Sequence, residues 1–188
     1  MKNSYFMGCL LLAAAAVPTM QAEVTYKCTA GKNFGEGEGI DKMFDGRLDT
    51  KYCGNGGDDC WALVEASEAV YVRAYETTTA NDNRESNGRC PRHWALYGTN
   101  DPDVAKDASS AGWVTLSDLD NNPYPADLIP KENFYNQRFY CDRSTVGTAY
   151  KYFKVHIKAG DSPLQLSEFK ILGETTPIVT YSEFSLKK

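Results

Sequence analysis

Apolar residues in this chain recur every second position, in short runs. Tyr150 to Lys158 (YKYFKVHIK) sets Phe153, Val155 and Ile157 against Lys154 and His156, the signature of a half-buried strand. Val70 to Thr79 alternates as well, with Val70, Val72 and Ala74 on one face and Tyr71, Arg73, Tyr75 and Thr77 on the other. Trp61–Val64, Trp94–Gly98 and Trp113–Leu116 are apolar runs of strand length, and Val24–Tyr26 predicts a first strand. Leu164–Leu172 predicts the last. Its apolar positions change phase between Leu166 and Phe169, with Glu168 at the change, as a β-bulge would produce. Only Ile40, Met43 and Phe44 fall at helical spacing, which predicts one short turn.

Turn-forming residues separate these runs. Residues 31–39 are glycine-rich, Asn81–Arg92 is polar, and Pro123, Pro125 and Pro130 prevent ladder pairing through a long irregular loop after Asp118. There is no long amphipathic helix, internal repeat or heptad. Many short strands between turns predict an all-β sandwich. Residues 23–173 form the predicted domain, and 174–188 a tail or edge segment in which Val179, Tyr181 and Phe184 supply apolar contacts.

Residues 1–22 read as a secretory signal peptide. Lys2 precedes an apolar run from Phe6 to Val17, and PTMQA offers a small residue for cleavage. That run is too short to span a bilayer, so the mature chain is expected to be secreted or periplasmic, with no membrane span. Cleavage removes one lysine and no acid, taking the net charge from −5 to −6. An acidic chain without a basic run is a poor nucleic-acid binder.

An exported protein favours disulfides. Cys28, Cys53, Cys60, Cys90 and Cys141 remain after cleavage, so at most two bridges form. The shortest expected bridge joins Cys53 to Cys60 across GNGGDD, a closure worth about 2.5 kcal/mol in the chain-entropy model. Cys60 with Cys90 is its competitor. A zinc site from Cys53, Cys60, Cys90 and His93 fits no finger spacing well.

Four ordered blocks carry a resemblance: FDGRLDTKYC, then TTTANDN with GRCPRHWALYGTND, then WVTL, then AYKYFKVHI with LQLSEFKILG. Together they span about Ile40 to Gly173 and resemble discoidin domains, also called coagulation factor five/eight type C domains, and galactose-binding-like carbohydrate-binding modules. The resemblance implies a jelly-roll β-sandwich that binds sugars with loops at one end and holds one structural calcium. It places side-chain oxygens of Asp45, Thr50 and Glu168 on the ion, with carbonyls from Lys42, Arg47, Thr50 and Ser167. Calcium takes six to eight oxygens in flexible geometry, which a tight turn supplies. Arg47 stands where Asp or Asn is expected and Tyr52 where Trp is usual, so Arg47 would contribute its carbonyl alone. Without the ion, Asp45-Gly46 is an ordinary turn and Glu168 a surface carboxylate.

The expected ligand face joins three loops, Tyr52–Asp59, Asn81–Arg92 and Asp118–Arg138. Sugars take an aromatic ring under the pyranose and polar groups on its hydroxyls. Tyr52, Asn83, Arg84, Arg92, Tyr124, Phe134, Tyr135 and Arg138 are the candidates, each aromatic being equally readable as a packing residue. Arg89 is expected to brace its own loop, His156 to lie exposed on its strand and His93 to be able to line the loop end. No Ser-His-Asp order, HExxH, phosphate loop or GxSxG occurs. The expected function is non-catalytic binding of a carbohydrate or cell-surface glycan. The alternative is a protein-interaction or adhesion domain that binds no sugar.

Overall fold

One strand changes sheets, and its bend makes the two layers. The computed structural model describes residues 23–32, 37–55, 57–158 and 163–177. The strands of the described residues are β1 (Tyr26–Gly31), β2 (Tyr52–Gly54), β3 (Cys60–Thr78), β4 (Trp94–Thr99), β5 (Val114–Asp118), β6 (Asn136–Tyr140), β7 (Ala149–Ile157), β8 (Leu164–Leu166) and β9 (Glu168–Glu174). A 3₁₀ helix at Ile40–Phe44 fills the position of the expected helical turn and buries Ile40 and Met43. No helix of the described residues is long and apolar enough to cross a membrane. The signal peptide and the positions Val179, Tyr181 and Phe184 lie outside the described residues.

The first half of β3 pairs antiparallel with β1 and β7, and the sheet continues through β4 to β5. Its second half lies between β6 and β9. Register slips between Glu65 and Val70, where Ser67, Glu68 and Ala69 are exposed. A strand that bends through such an irregularity passes from one sheet to the other. Trp61–Val64 and Val70–Thr79, read as separate runs, are thus one strand of 19 residues.

Two sequence expectations change for the same kind of reason. A bulge between Val72 and Ala74 reverses the alternation, so Tyr75 joins Val70 and Val72 in the core rather than facing away. The phase change near Glu168 is a change of sheet, not a bulge. β8 pairs with β2, β9 pairs with β3, and Ser167 between them donates its N–H to the Thr78 carbonyl at 2.9 Å.

The core lies between the layers. Phe153, Val155 and Ile157 are fully buried, as the alternation predicts, each contributing about 1.5–3 kcal/mol of transfer free energy. Tyr75 stacks on Phe169 at 4.9 Å and on Phe139 at 5.5 Å, while Trp94 meets Phe139 edge-on at 5.0 Å. This aromatic cluster underlies the loops described next.

Cys53 and Cys60 are not bridged. Adjacent residues of a strand face opposite ways, and in β2 it is Tyr52 that points inward, its hydroxyl reaching the Cys60 sulfur. Cys53 therefore faces away from Cys60. Cys60 and Cys90 are not bridged to each other either, so the second expected pairing is also absent from the structure.

Candidate functional site

The three predicted loops converge and are laced together. Lys51 Nζ reaches Asp82 at 3.0 Å, joining the segment before Tyr52 to the second loop. Burial opposes the charge on Asp82, yet the Lys51 ammonium holds its carboxyl below the usual range. Arg89 lies 3.9 Å from the same carboxylate, the bracing role expected of it. Asn83 is fully buried, and its amide donates to the carbonyls of Pro130 at 2.7 Å and Glu132 at 3.1 Å. The Arg84 N–H donates to Asn133 Oδ1 at 2.6 Å, and Tyr124 N–H to the Arg92 carbonyl at 2.8 Å. Those bonds fix the second loop to the third.

This arrangement sorts the predicted ligand residues. Tyr52 is 0% exposed and cannot offer its ring to a ligand; its inward position in β2 decides that. Asn83 is a brace, and Tyr124 packs on Trp94 and Phe139 while its hydroxyl accepts from Gln137 Nε2 at 2.7 Å. Arg138 stands on the outer face of β6, bound to Glu76 Oε1 through Nε at 2.9 Å and Nη2 at 2.7 Å. Arg84, Arg92, Phe134 and Tyr135 stay open to solvent, the two rings at 44% and 45% exposure. Tyr135 is held firmly. Its N–H donates to Thr79 Oγ1 at 2.8 Å and its carbonyl accepts from Thr79 N–H at 3.0 Å. Phe134 takes a left-handed backbone (φ 56°), a conformation that costs a non-glycine residue free energy.

Sequence reasoning missed a histidine held between two carboxylates beside these loops. His156 was expected on an exposed strand face, yet it is half-buried between two carboxylates. Nδ1 lies 2.7 Å from Asp120 Oδ2 and Nε2 lies 3.3 Å from Asp59 Oδ2. Its hydrogen bond to Asp120, aided by Asp59 and opposed by burial, raises the imidazole pKa above the ordinary value. His93 Nδ1 contacts the Asp120 carbonyl at 3.2 Å. Alternation placed His156 on the outward face correctly, but Asp59 and Asp120 approach from loops whose paths no local pattern encodes.

The Asp45-Gly46 turn gathers oxygens. Gly46 adopts φ 72°, which its missing Cβ permits, and turns the chain back on itself. The Arg47 N–H is shared by Asp45 Oδ1 at 3.0 Å and Glu168 Oε1 at 2.9 Å. Thr50 Oγ1 lies 2.8 Å from Asp45 Oδ2 and 3.1 Å from the Arg47 carbonyl. The Arg47 guanidinium turns away to Asp49 at 2.7 Å, so only its main chain joins the cluster. Ser167 Oγ lies 3.4 Å from the Leu48 carbonyl, and Lys42 Nζ lies 4.0 Å from Asp45 Oδ2. Burial first, and the nearby Asp45 charge after it, push the Glu168 carboxyl up to about 8. Two carboxylates, a hydroxyl and a carbonyl are four of the six to eight oxygens that calcium takes, and no group of three or more Asp, Glu, His or Cys side chains that could hold a metal ion gathers among the described residues.

A groove of about 790 Å³ flanks this turn, lined by Leu48 and Phe44 on one side, by Glu76, Asn136 and Lys170 from the second sheet, and by Phe134 at one end. Phe134 is the one predicted ligand residue that lines it.

No family model and no curated protein matches the sequence. Solved structures do match in fold. The family 32 carbohydrate-binding module of Streptococcus pneumoniae EndoD aligns with TM-score 0.55 at 13% identity, covering 79% of this chain and 96% of that one. The family 32 module of Clostridium perfringens NanJ, solved in complex with galactose, aligns with TM-score 0.52 at 12% identity, covering 79% and 92%. An F5/8 type C domain of Bacteroides fragilis aligns with TM-score 0.51 at 14% identity, covering 79% and 89%. At these identities the likeness is one of fold alone: the chain shares the jelly-roll β-sandwich of these carbohydrate-binding modules and F5/8 type C domains.

Proposed function

We propose that this chain is an exported, non-catalytic module that binds carbohydrate with the loops at one end of its sandwich and carries a structural calcium. The observation that supports this most is Tyr135, a solvent-facing ring whose backbone is clamped to Thr79 in both directions. With its backbone held in this way, only the side chain of Tyr135 has to be ordered when its ring stacks on a pyranose. Arg84 and Arg92, exposed on the adjoining loop, supply fork-shaped donors for hydroxyls. The fold shared with carbohydrate-binding modules agrees with this use, and so does the small number of direct ligand groups.

Calcium takes a scaffold role. Asp45, Thr50 and Glu168 would bind it through side chains and Arg47 through its carbonyl, with Lys42 and Ser167 completing the turn from the main chain. The ion would relieve the unfavourable charge on Glu168 and tie β9 to the turn that leads into β2.

A glycan array probed with the calcium-loaded protein tests the function. Binding to a defined glycan class that weakens in Tyr135→Ala supports it. Absence of binding to every plant, host and microbial glycan would leave the protein-interaction reading in its place.

A further inference from the structure

The loop end is not the sole surface built for a hydroxyl-rich ligand. The outward side chains of the second sheet form three cross-strand rows, each read directly from the register. Asn136, Thr78 and Glu168 make the first, Arg138, Glu76 and Lys170 the second, and Tyr140, Ala74 and Leu172 the third. Such rows repeat about every 7 Å along the strands, with neighbouring strands about 4.8 Å apart. Phe134 stands at the groove end of this lattice, and Tyr140, 65% exposed, at the other.

The polar groups between the two rings are fixed by one another. Thr78 Oγ1 donates to Asn136 Oδ1 at 3.1 Å, and Arg138 donates to Glu76 Oε1 through Nε and Nη2. The result is two fixed pairs between the rings, with Asn136, Arg138 and Lys170 exposed to water while Thr78 and Ala74 are buried. Arg138 is neutralised by Glu76, and calcium at the Asp45–Glu168 turn would neutralise the acids there, so the face offers little net charge to a charged polymer of either sign. A cationic peptide gains little from a face whose main carboxylate already holds an arginine.

We propose that this outer face is a second binding site, distinct from the loop end, for a neutral, linear oligosaccharide lying along the strands between Phe134 and Tyr140. The rings would cover the apolar faces of two sugar units, and the fixed lattice between them would exchange hydrogen bonds with the hydroxyls of the units in between. A monosaccharide reaches one ring only, so affinity here depends on chain length. The inference rests on the glycan reading above but on different residues.

The test is an NMR titration of the ¹⁵N-labelled full chain, saturated with calcium, using cellohexaose, laminarihexaose, mannohexaose and galactose as probes. At least one hexaose is expected to shift the amides of Thr78, Asn136, Arg138 and Lys170, with galactose leaving them in place. Tyr140→Ala, an exposed substitution that leaves the core intact, is expected to weaken that hexaose about tenfold or more, and Tyr135→Ala to leave it unchanged. Three results overturn the proposal: no hexaose moves these amides, Tyr140→Ala has no effect, or the shifts fall only within residues 81–92 and 118–135. The last would leave the loop-end reading standing while removing this one.

Discussion

Glu168 Oε1 accepts the backbone N–H of Arg47 at 2.9 Å, joining the first residue of β9 to a turn 121 positions earlier in the chain. Both ends of the domain meet at that bond, and the carboxylate that makes it is half-buried with Asp45 nearby. A divalent cation bound there would offset the unfavourable approach of the two acids and clamp the turn to β9.

Calcium is therefore expected to stabilise the fold. At 100 times its dissociation constant it contributes about 2.7 kcal/mol, or roughly 5–10 °C in melting temperature for a domain of this size. Adding EDTA and then restoring calcium should lower and recover that temperature. Glu168→Gln keeps an acceptor for Arg47 but removes a charge, and should lose most of the response. A melting temperature indifferent to EDTA would exclude the cation.

Tyr75→Phe tests the aromatic core. The Tyr75 hydroxyl accepts the Trp94 Nε1–H at 2.9 Å and bonds to Ser117 at 2.9 Å, all in buried surroundings. Removing it leaves the indole N–H unsatisfied while the ring stack on Phe169 survives. Urea unfolding should show a loss of about 1–3 kcal/mol with an unchanged m-value.

His156 makes stability depend on pH. Its folded-state pKa is raised, so the charged imidazole contributes stability below about pH 6.5 that is lost as pH rises through the folded value. Hydrogen exchange in the Asp59 and Asp120 loops should quicken over that window. His156→Gln should flatten the dependence, and an identical profile in wild type and variant would exclude His156 and its two carboxylates as its source.

Thiol labelling checks the absence of the predicted bridge. Cys53 is partly exposed, with a thiol pKa raised by burial and by Glu38, so it should react slowly with a maleimide in the native protein and without a reductant. Cys90 and Cys141, both buried with pKa values pushed up to about 12, should react only after unfolding. Labelling of Cys53 that required prior reduction would restore the bridge.

Much of this architecture is legible in the sequence because alternation reports burial directly, as Phe153, Val155 and Ile157 show. The turn at Asp45-Gly46 and its distant partner Glu168 came from ordered motifs, and the two do meet. Alternation fails where a strand bulges or changes sheets, which is why Tyr75 and the Leu166–Phe169 phase change were misread. It also says nothing about which loops approach one another. Tyr52 reads as a ligand ring because it follows the Asp45-Gly46 turn, but one strand position decides whether a ring faces a ligand or the core. An exposed strand tyrosine such as Tyr140 has no local mark that separates it from an ordinary surface residue.

Calorimetric titration of the calcium-loaded protein with the best glycan from the array tests the proposed function most directly, run on wild type, on Tyr135→Ala and on the paired Arg84→Ala, Arg92→Ala variant. The predicted result is saturable heat in wild type, at least about tenfold weaker binding in both variants, and recovery of the glycan chemically unchanged. No heat with any glycan, full affinity in both variants, or a cleaved product would contradict a non-catalytic sugar-binding loop end.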